Sequence, residues 1–141
     1  RRTGAIRRKK QHKYIIITVD HGSAVIIFYP DHQFDKGAIY MDVSAKHEGN
    51  QLELALKGEL DHHGAKGLLT CLEQEIQRSL PLVLVLDFSG VTFMDSSGIA
   101  VALRGWQRMR ELGGSVTLRH VAQQPRKVFE AAGVGRMMTI D

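Results

Sequence analysis

Two short stretches carry the residues most able to do chemistry. "GELDHHGA" at 58–65 and "FMDSSGIA" at 93–100 each lead from a strand-like run into a helix-like one, and each turns on an aspartate. In the second, Asp95 is followed by two hydroxyls, Ser96 and Ser97, and then by Gly98. A helix start offers unpaired N–H groups and about half a positive elementary charge. A phosphoryl group on Ser96 would sit in that field and gain charge-assisted hydrogen bonds from the amides. It would also add roughly −1.5 to −2 charges beside Asp95. A protein docked flat on the corner would have to desolvate that charge, at a cost of several kcal/mol without a cationic partner. The plainer reading is that Asp and Ser are ordinary N-caps worth ~1 kcal/mol. Composition alone leaves both open.

Other chemistries fit less well. "DSSGI" lacks the flanking glycines of a nucleophile elbow, and no histidine is placed as its base. His62 and His63 are adjacent, so on a helix they point about 100° apart, and no second ligand cluster accompanies them. There is no glycine-rich loop followed by Lys-Ser/Thr of the kind that cradles nucleotide phosphates. Cys71 lies among helix formers and reads as a core thiol; being the single cysteine, it excludes an internal disulfide and fits a reducing compartment.

The formal charge of +4 suggests nucleic acid until its distribution is examined. Residues 1–13 hold seven Lys/Arg and no acid, which leaves twelve basic against fifteen acidic residues elsewhere, net −3. From Met41 onward eleven bases meet twelve acids, net −1. A phosphate-binding footprint would therefore be confined to the tail, and direct nucleic-acid binding by the body is not expected. The apolar runs "YIIITV" and "AVIIFYP" are too short to span a bilayer, and Asp20 and His21 interrupt them, so neither a membrane span nor a signal peptide is read here. The expected location is the cytoplasm.

The elements that must position the two corners follow from periodicity. Residues 14–29 read as a hairpin turning at "DHGS", and 30–37 as loop. A second hairpin, 42–47 and 51–58, turns at Gly49-Asn50, with Leu52, Leu54 and Leu56 alternating in the manner of a half-buried strand. Residues 62–79 switch to helical spacing, Ala65, Leu68, Leu69, Leu72 and Ile76 forming a stripe behind the N-cap Asp61, and Pro81 closing the segment. "LVLVLDF" at 82–88 reads as a strand covered on both faces. A second helix is expected to bury Ile99, Leu103, Trp106 and Met109 and to end at "LGG", 112–114. A strand at 115–121 precedes a short helix with Pro125 in its first turn, Val128, Phe129 and Ala132 inward, and Gly133 as terminator. A weak strand closes the chain near 137–140. The order from about residue 41 is β-β-α-β-α-β-α-β, an α/β fold with a mixed, mostly parallel sheet.

At this point the residues resemble a known family. The corners at 58–65 and 93–103, with "LGGSVTLRHVAQQPRKVFEAAGV" at 112–134, are similar to the STAS domain, and within it to the anti-sigma factor antagonists, most of all the sporulation sigma-F type. The resemblance runs from about Met41 to the C-terminus. It implies a STAS fold and a regulatory protein that is not an enzyme and holds no cofactor or metal. It implies that the unmodified chain binds an anti-sigma factor that is itself a serine kinase, releasing the sigma factor for sporulation transcription. Phosphorylation at Ser96 breaks that complex, and a serine phosphatase restores it. The docking set carried over is Asp61, His62, Asp95, Ser96, Ser97 and Gly98, with Gly98 expected to admit the partner's backbone; the alternative is that it lets the helix start close to the strand. A monomer is expected. The alternative function is a STAS scaffold subunit of a stress-signalling or membrane-transport assembly. Residues 1–40 have no counterpart in the pattern. Lys36-Gly37 can be encoded as a ribosome-binding sequence just ahead of Met41, so these residues are expected to be translated upstream sequence or an expression addition, the alternative being a genuine basic extension with a hairpin.

Overall fold

A strand needs an apolar alternation and a helix an apolar stripe, and from Met41 the chain supplies them in turn. The computed structural model describes residues 41–141 in full and 7–11, 14–18 and 23–28 in their backbone. Its strands are β1 (Arg7–Gln11), β2 (Tyr14–Thr18), β3 (Ser23–Phe28), β4 (Asp42–Glu48), β5 (Gln51–Leu60), β6 (Val83–Met94), β7 (Ser115–Arg119) and β8 (Thr139–Ile140). Its helices are α1 (His62–Ser79), α2 (Ser97–Glu111) and α3 (Gln123–Ala131), with a short 3-10 turn at Val134–Arg136. The strands lie side by side in chain order. β1 to β5 are antiparallel neighbours and β5 to β8 are parallel, each parallel pair joined through a helix. From β4 onward this is the expected five-stranded mixed sheet.

The hairpin expected at 14–29 is present as β2 paired with β3, Ile16 opposite Ile26; its turn, and the loop expected at 30–37, lie outside the described residues. Within the basic tail, Arg7–Gln11 forms a strand on β2. β3 in turn pairs with β4, so these strands prolong the sheet at the β4 edge.

The three helices pack on one face of the sheet. That face carries Leu52, Leu54, Leu84, Leu86 and Leu118, closed over by Leu68, Leu72 and Ile76 of α1 and by Val101 and Met109 of α2. α3 contributes Phe129, whose ring meets Phe88 edge-on at 5.5 Å. The run 82–88 is therefore not sandwiched between helices. Val85 is buried, yet it stands apart from this core, in register between Glu53 and Thr117 on the face where Glu53 pairs with Arg119 at 3.7 Å.

α2 is rotated relative to the expected stripe. Gly98, Val101, Ala102, Gly105 and Met109 are buried, whereas Ile99, Leu103 and Trp106 are only half-buried along the flank. The cause is proximity: a Cβ on Gly105 would lie 3.1 Å from Leu84 and 3.6 Å from Leu72, so the closest face of the helix admits only small residues. In α3, Ala132 is likewise exposed while Pro125 and Phe129 go inward. α1 keeps its expected stripe, except that Leu69 is half-buried and that Glu75 is fully buried, with His47 Nε2 at 2.9 Å from one carboxylate oxygen and Arg78 donating to the other.

Candidate functional site

Because β5 and β6 are parallel neighbours, α1 and α2 start side by side. Leu60 is opposite Met94 at the ends of the two strands, and the Asp95 N–H donates to the Leu60 carbonyl at 3.2 Å. The two acidic stretches thus form one corner at the carboxyl edge of the sheet, where ligands and partners of such sheets gather.

At the start of α1, Asp61 has extended backbone (φ −103°, ψ −167°), and its Oδ1 accepts from the Gly64 N–H at 2.9 Å. That is ordinary N-capping. At α2 the acid stands one residue earlier. Asp95 Oδ1 accepts from the Ser97 N–H at 2.7 Å, and Ser96, which occupies the cap position, is already helical (φ −66°, ψ −13°). The Ser96 side chain makes no capping bond and is exposed.

The first-turn amides are not vacant, contrary to the sequence-based picture of a waiting anion cradle. Ser97 N–H is held by the Asp95 carboxylate, Gly98 N–H donates to the Asp95 carbonyl at 3.1 Å, and Ile99 N–H donates to the Ser96 carbonyl at 3.0 Å. A group carried on Ser96 Oγ would project outward, with the helix-end field behind it.

The other expected residues divide between surface and interior. His62 and His63 are exposed, their rings edge-to-face at 5.8 Å. Asp61, Asp95 and Ser97 are half-buried. Gly98 corrects the expectation of a partner's backbone above it. It is buried, and a Cβ there would lie 2.4 Å from Met94 Sδ and 3.1 Å from Leu60 Cδ2, so the glycine lets α2 start against the strand ends. Cys71 is buried, and that burial, followed by the nearby Glu75 carboxylate, pushes its thiol well above the ordinary range, which suits a packing residue and not a nucleophile.

Two residues of the corner escaped the sequence reading. Phe93 is 43% exposed although it lies in a strand beside Glu59. The pairing shifts between Gly58 and Glu59, so Thr92 and Phe93 both turn outward. Gly58, at φ 119°, is the one sequence signal for that bulge. Gln124, in the first turn of α3, bonds both polar groups of the Met94 backbone: Met94 N–H donates to Oε1 at 2.9 Å, and Nε2 donates to the Met94 carbonyl at 2.7 Å. Thirty residues separate the two, and no local pattern announces the contact. A cavity of about 550 Å³ bounded by Trp106, Arg126 and Met137 includes none of the corner residues.

The family model described as "Mlab, STAS domain" matches residues 43–139, and the chain belongs to the STAS-domain family. Among curated relatives, the chain is 28% identical over 100 residues to the anti-sigma F factor antagonist of Paenibacillus polymyxa, covering 71% of this chain and 86% of that one. It is 29% identical over 85 residues to the anti-sigma F factor antagonist of Lysinibacillus sphaericus, covering 60% and 73%. Its fold is similar to that of the Bacillus cell fate determinant SpoIIAA in its phosphorylated form, with TM-score 0.57 and 25% identity over 70% of this chain and 90% of that one.

Proposed function

We propose that residues 41–141 act as an anti-sigma factor antagonist switched by phosphorylation at Ser96. The unmodified corner binds an anti-sigma factor with serine-kinase activity and so frees a sigma factor, in a sporulation pathway of the cytoplasm. The observation that carries this reading is the Ser96 hydroxyl, exposed and unbonded at the start of α2, while Asp61 and Asp95 are each occupied with an amide of their own helix start. Asp61, His62, Phe93, Asp95, Ser96 and Ser97 form the docking set, while Gly98 and Gln124 support it from beneath and beside. The match to curated sigma-F antagonists over most of their length and the phosphorylated form of a protein with the same fold support this assignment.

The switch is electrostatic. A phosphoryl group at Ser96 adds about −1.5 to −2 charges beside Asp95, and no first-turn amide is left over to neutralise it. The fold tolerates the group because it projects into water. A docked partner would strip that water away, at a cost of several kcal/mol. The chain performs no catalysis of its own, and a serine phosphatase resets it. The basic segment 1–40 is dispensable for this cycle, and the acting species is a monomer.

Incubation with the cognate anti-sigma kinase and ATP, followed by mapping of the phosphate, tests the proposal. The expected result is a single modification at Ser96 that Ser96→Ala abolishes. An unchanged mass would contradict the switch and leave a STAS scaffold in its place.

A further inference from the structure

β6 is long and β7 is short. Their pairing runs from Val83 opposite Ser115 to Asp87 opposite Arg119 and stops there, because His120 takes left-handed backbone (φ 58°) and turns the chain away. From Phe88 to Met94, β6 keeps its β5 neighbour but, among the described residues, has no strand on the other edge. In a β-strand the N–H and C=O of one residue point to the same edge, and those of the next residue to the opposite edge. The Asp95 N–H accordingly meets Leu60 of β5 at 3.2 Å, while both Met94 groups face the edge that β7 has vacated.

Gln124 fills that vacancy. Its primary amide has the donor and acceptor of a peptide group, and it bonds the Met94 N–H at 2.9 Å and the Met94 carbonyl at 2.7 Å, as a third strand would. The peptide group joining Met94 to Asp95 is thus held from opposite sides, its N–H by β5 and its carbonyl by α3, and α3 also holds the N–H of the peptide group before it. The Met94 side chain, buried beneath Gly98 in the first turn of α2, fixes the same point from below. Beyond this clamp only Asp95 intervenes before the hydroxyl.

We propose that Gln124 is a positioning residue for phosphoryl transfer to Ser96, acting through the Met94 backbone. The inference rests on the switch proposed above. In that reaction Ser96 Oγ forms a bond to the γ-phosphorus of ATP, the bond from that phosphorus to the β–γ bridging oxygen breaks, ADP leaves, and the hydroxyl proton passes to a base of the kinase. The step demands an acceptor oxygen placed in line, and misplacement by an ångström can cost on the order of a hundredfold in rate. A cap residue that makes no side-chain bond has its placement set by the backbone alone, and that backbone is held by Gln124.

The test compares the wild-type chain, Gln124→Ala and Gln124→Glu with the cognate anti-sigma serine kinase and ATP, alongside amide hydrogen exchange at Met94 and the urea midpoint. Gln124→Ala is expected to speed Met94 exchange and to lower kcat for Ser96 phosphorylation about tenfold, with KM within about twofold and the urea midpoint near wild type. Gln124→Glu keeps the acceptor for the Met94 N–H but opposes the carbonyl with a carboxylate, so its loss is expected to be intermediate. Equal kcat for Gln124→Ala and a wild type that is modified at Ser96 would overturn the inference. So would a change in KM alone, which would make Gln124 a contact of the kinase, or a rate loss that tracks the fraction unfolded. A wild-type chain that takes no phosphate at all would instead overturn the functional reading, and the inference with it.

Discussion

The corner holds two helix starts built on the same short pattern, Asp61-His62-His63-Gly64 and Asp95-Ser96-Ser97-Gly98, and they behave differently. In the first the aspartate is itself the cap, and its carboxylate reaches three residues ahead to Gly64. In the second the aspartate reaches two residues ahead to Ser97, and the cap position falls to Ser96, whose hydroxyl does nothing for the helix. A shift of one residue separates a polar group consumed by the fold from one that the fold leaves unused. The acid that brackets the serine relieves it of capping duty.

The two glycines offer the strongest way to break the comparison. A Cβ on Gly64 would sit 2.6 Å from the Glu59 carbonyl oxygen, which is backbone, whereas one on Gly98 would meet the Met94 side chain, which can rotate. Gly64→Ala is therefore expected to cost about 3 kcal/mol in urea denaturation, and Gly98→Ala about 1–2 kcal/mol. Equal costs would mean that Met94 is as immobile as a peptide group.

The caps sharpen it further. Asp61→Ala removes a real cap and should cost ~1 kcal/mol, while Ser96→Ala removes none and should fold within about 0.3 kcal/mol of wild type. A Ser96→Ala loss as large as that of Asp61→Ala would show that the hydroxyl serves the helix after all.

The smallest effect concerns an acid away from both helix starts. Partial burial pushes the Asp87 carboxyl up, but the Ser89 N–H, His120 at 3.0 Å and the Ser89 side chain outweigh it and hold the group below its ordinary value. A depressed carboxyl contributes stability that is complete above its unfolded pKa and is lost as pH falls through the folded value. The difference in urea midpoint between wild type and Asp87→Asn should thus shrink as the medium is acidified through the carboxylate range toward about pH 2. A difference that grows on acidification would reverse the sign of the argument.

Much of the frame was legible because it is written in local periodicity. The alternation of Leu52, Leu54 and Leu56 gave β5, Gly49-Asn50 gave its turn, and Asp61 with the stripe behind it gave α1. The corner itself was legible as two acid-led helix starts. What was lost depends on the other side of each contact. The phase of α2 was misread because bulk was taken for burial: Leu103 and Trp106 are the larger side chains, but the approach of Leu84 and Leu72 reserves the inner face for Gly105 and Ala102. Truncating Leu103 or Trp106 should accordingly cost less than truncating fully buried Leu68. Glu75 reads as helix surface, paired at most with Arg78 three residues along α1, until His47 of β4 reaches its other carboxylate oxygen. Gln124 is an exposed, polar, first-turn residue by any local rule, and its part in the corner exists only through the register of β6 against a strand that stops early.

The difference between the two helix starts matters only if a partner senses it. The direct measurement is the affinity of the cognate anti-sigma factor for the chain with Ser96 free and for the same chain with Ser96 phosphorylated, by titration calorimetry at one salt concentration. Phosphorylation is expected to weaken binding by about 100-fold or more, the equivalent of roughly 3 kcal/mol for charge desolvated without a counterion. Equal affinities for the two forms would contradict the account.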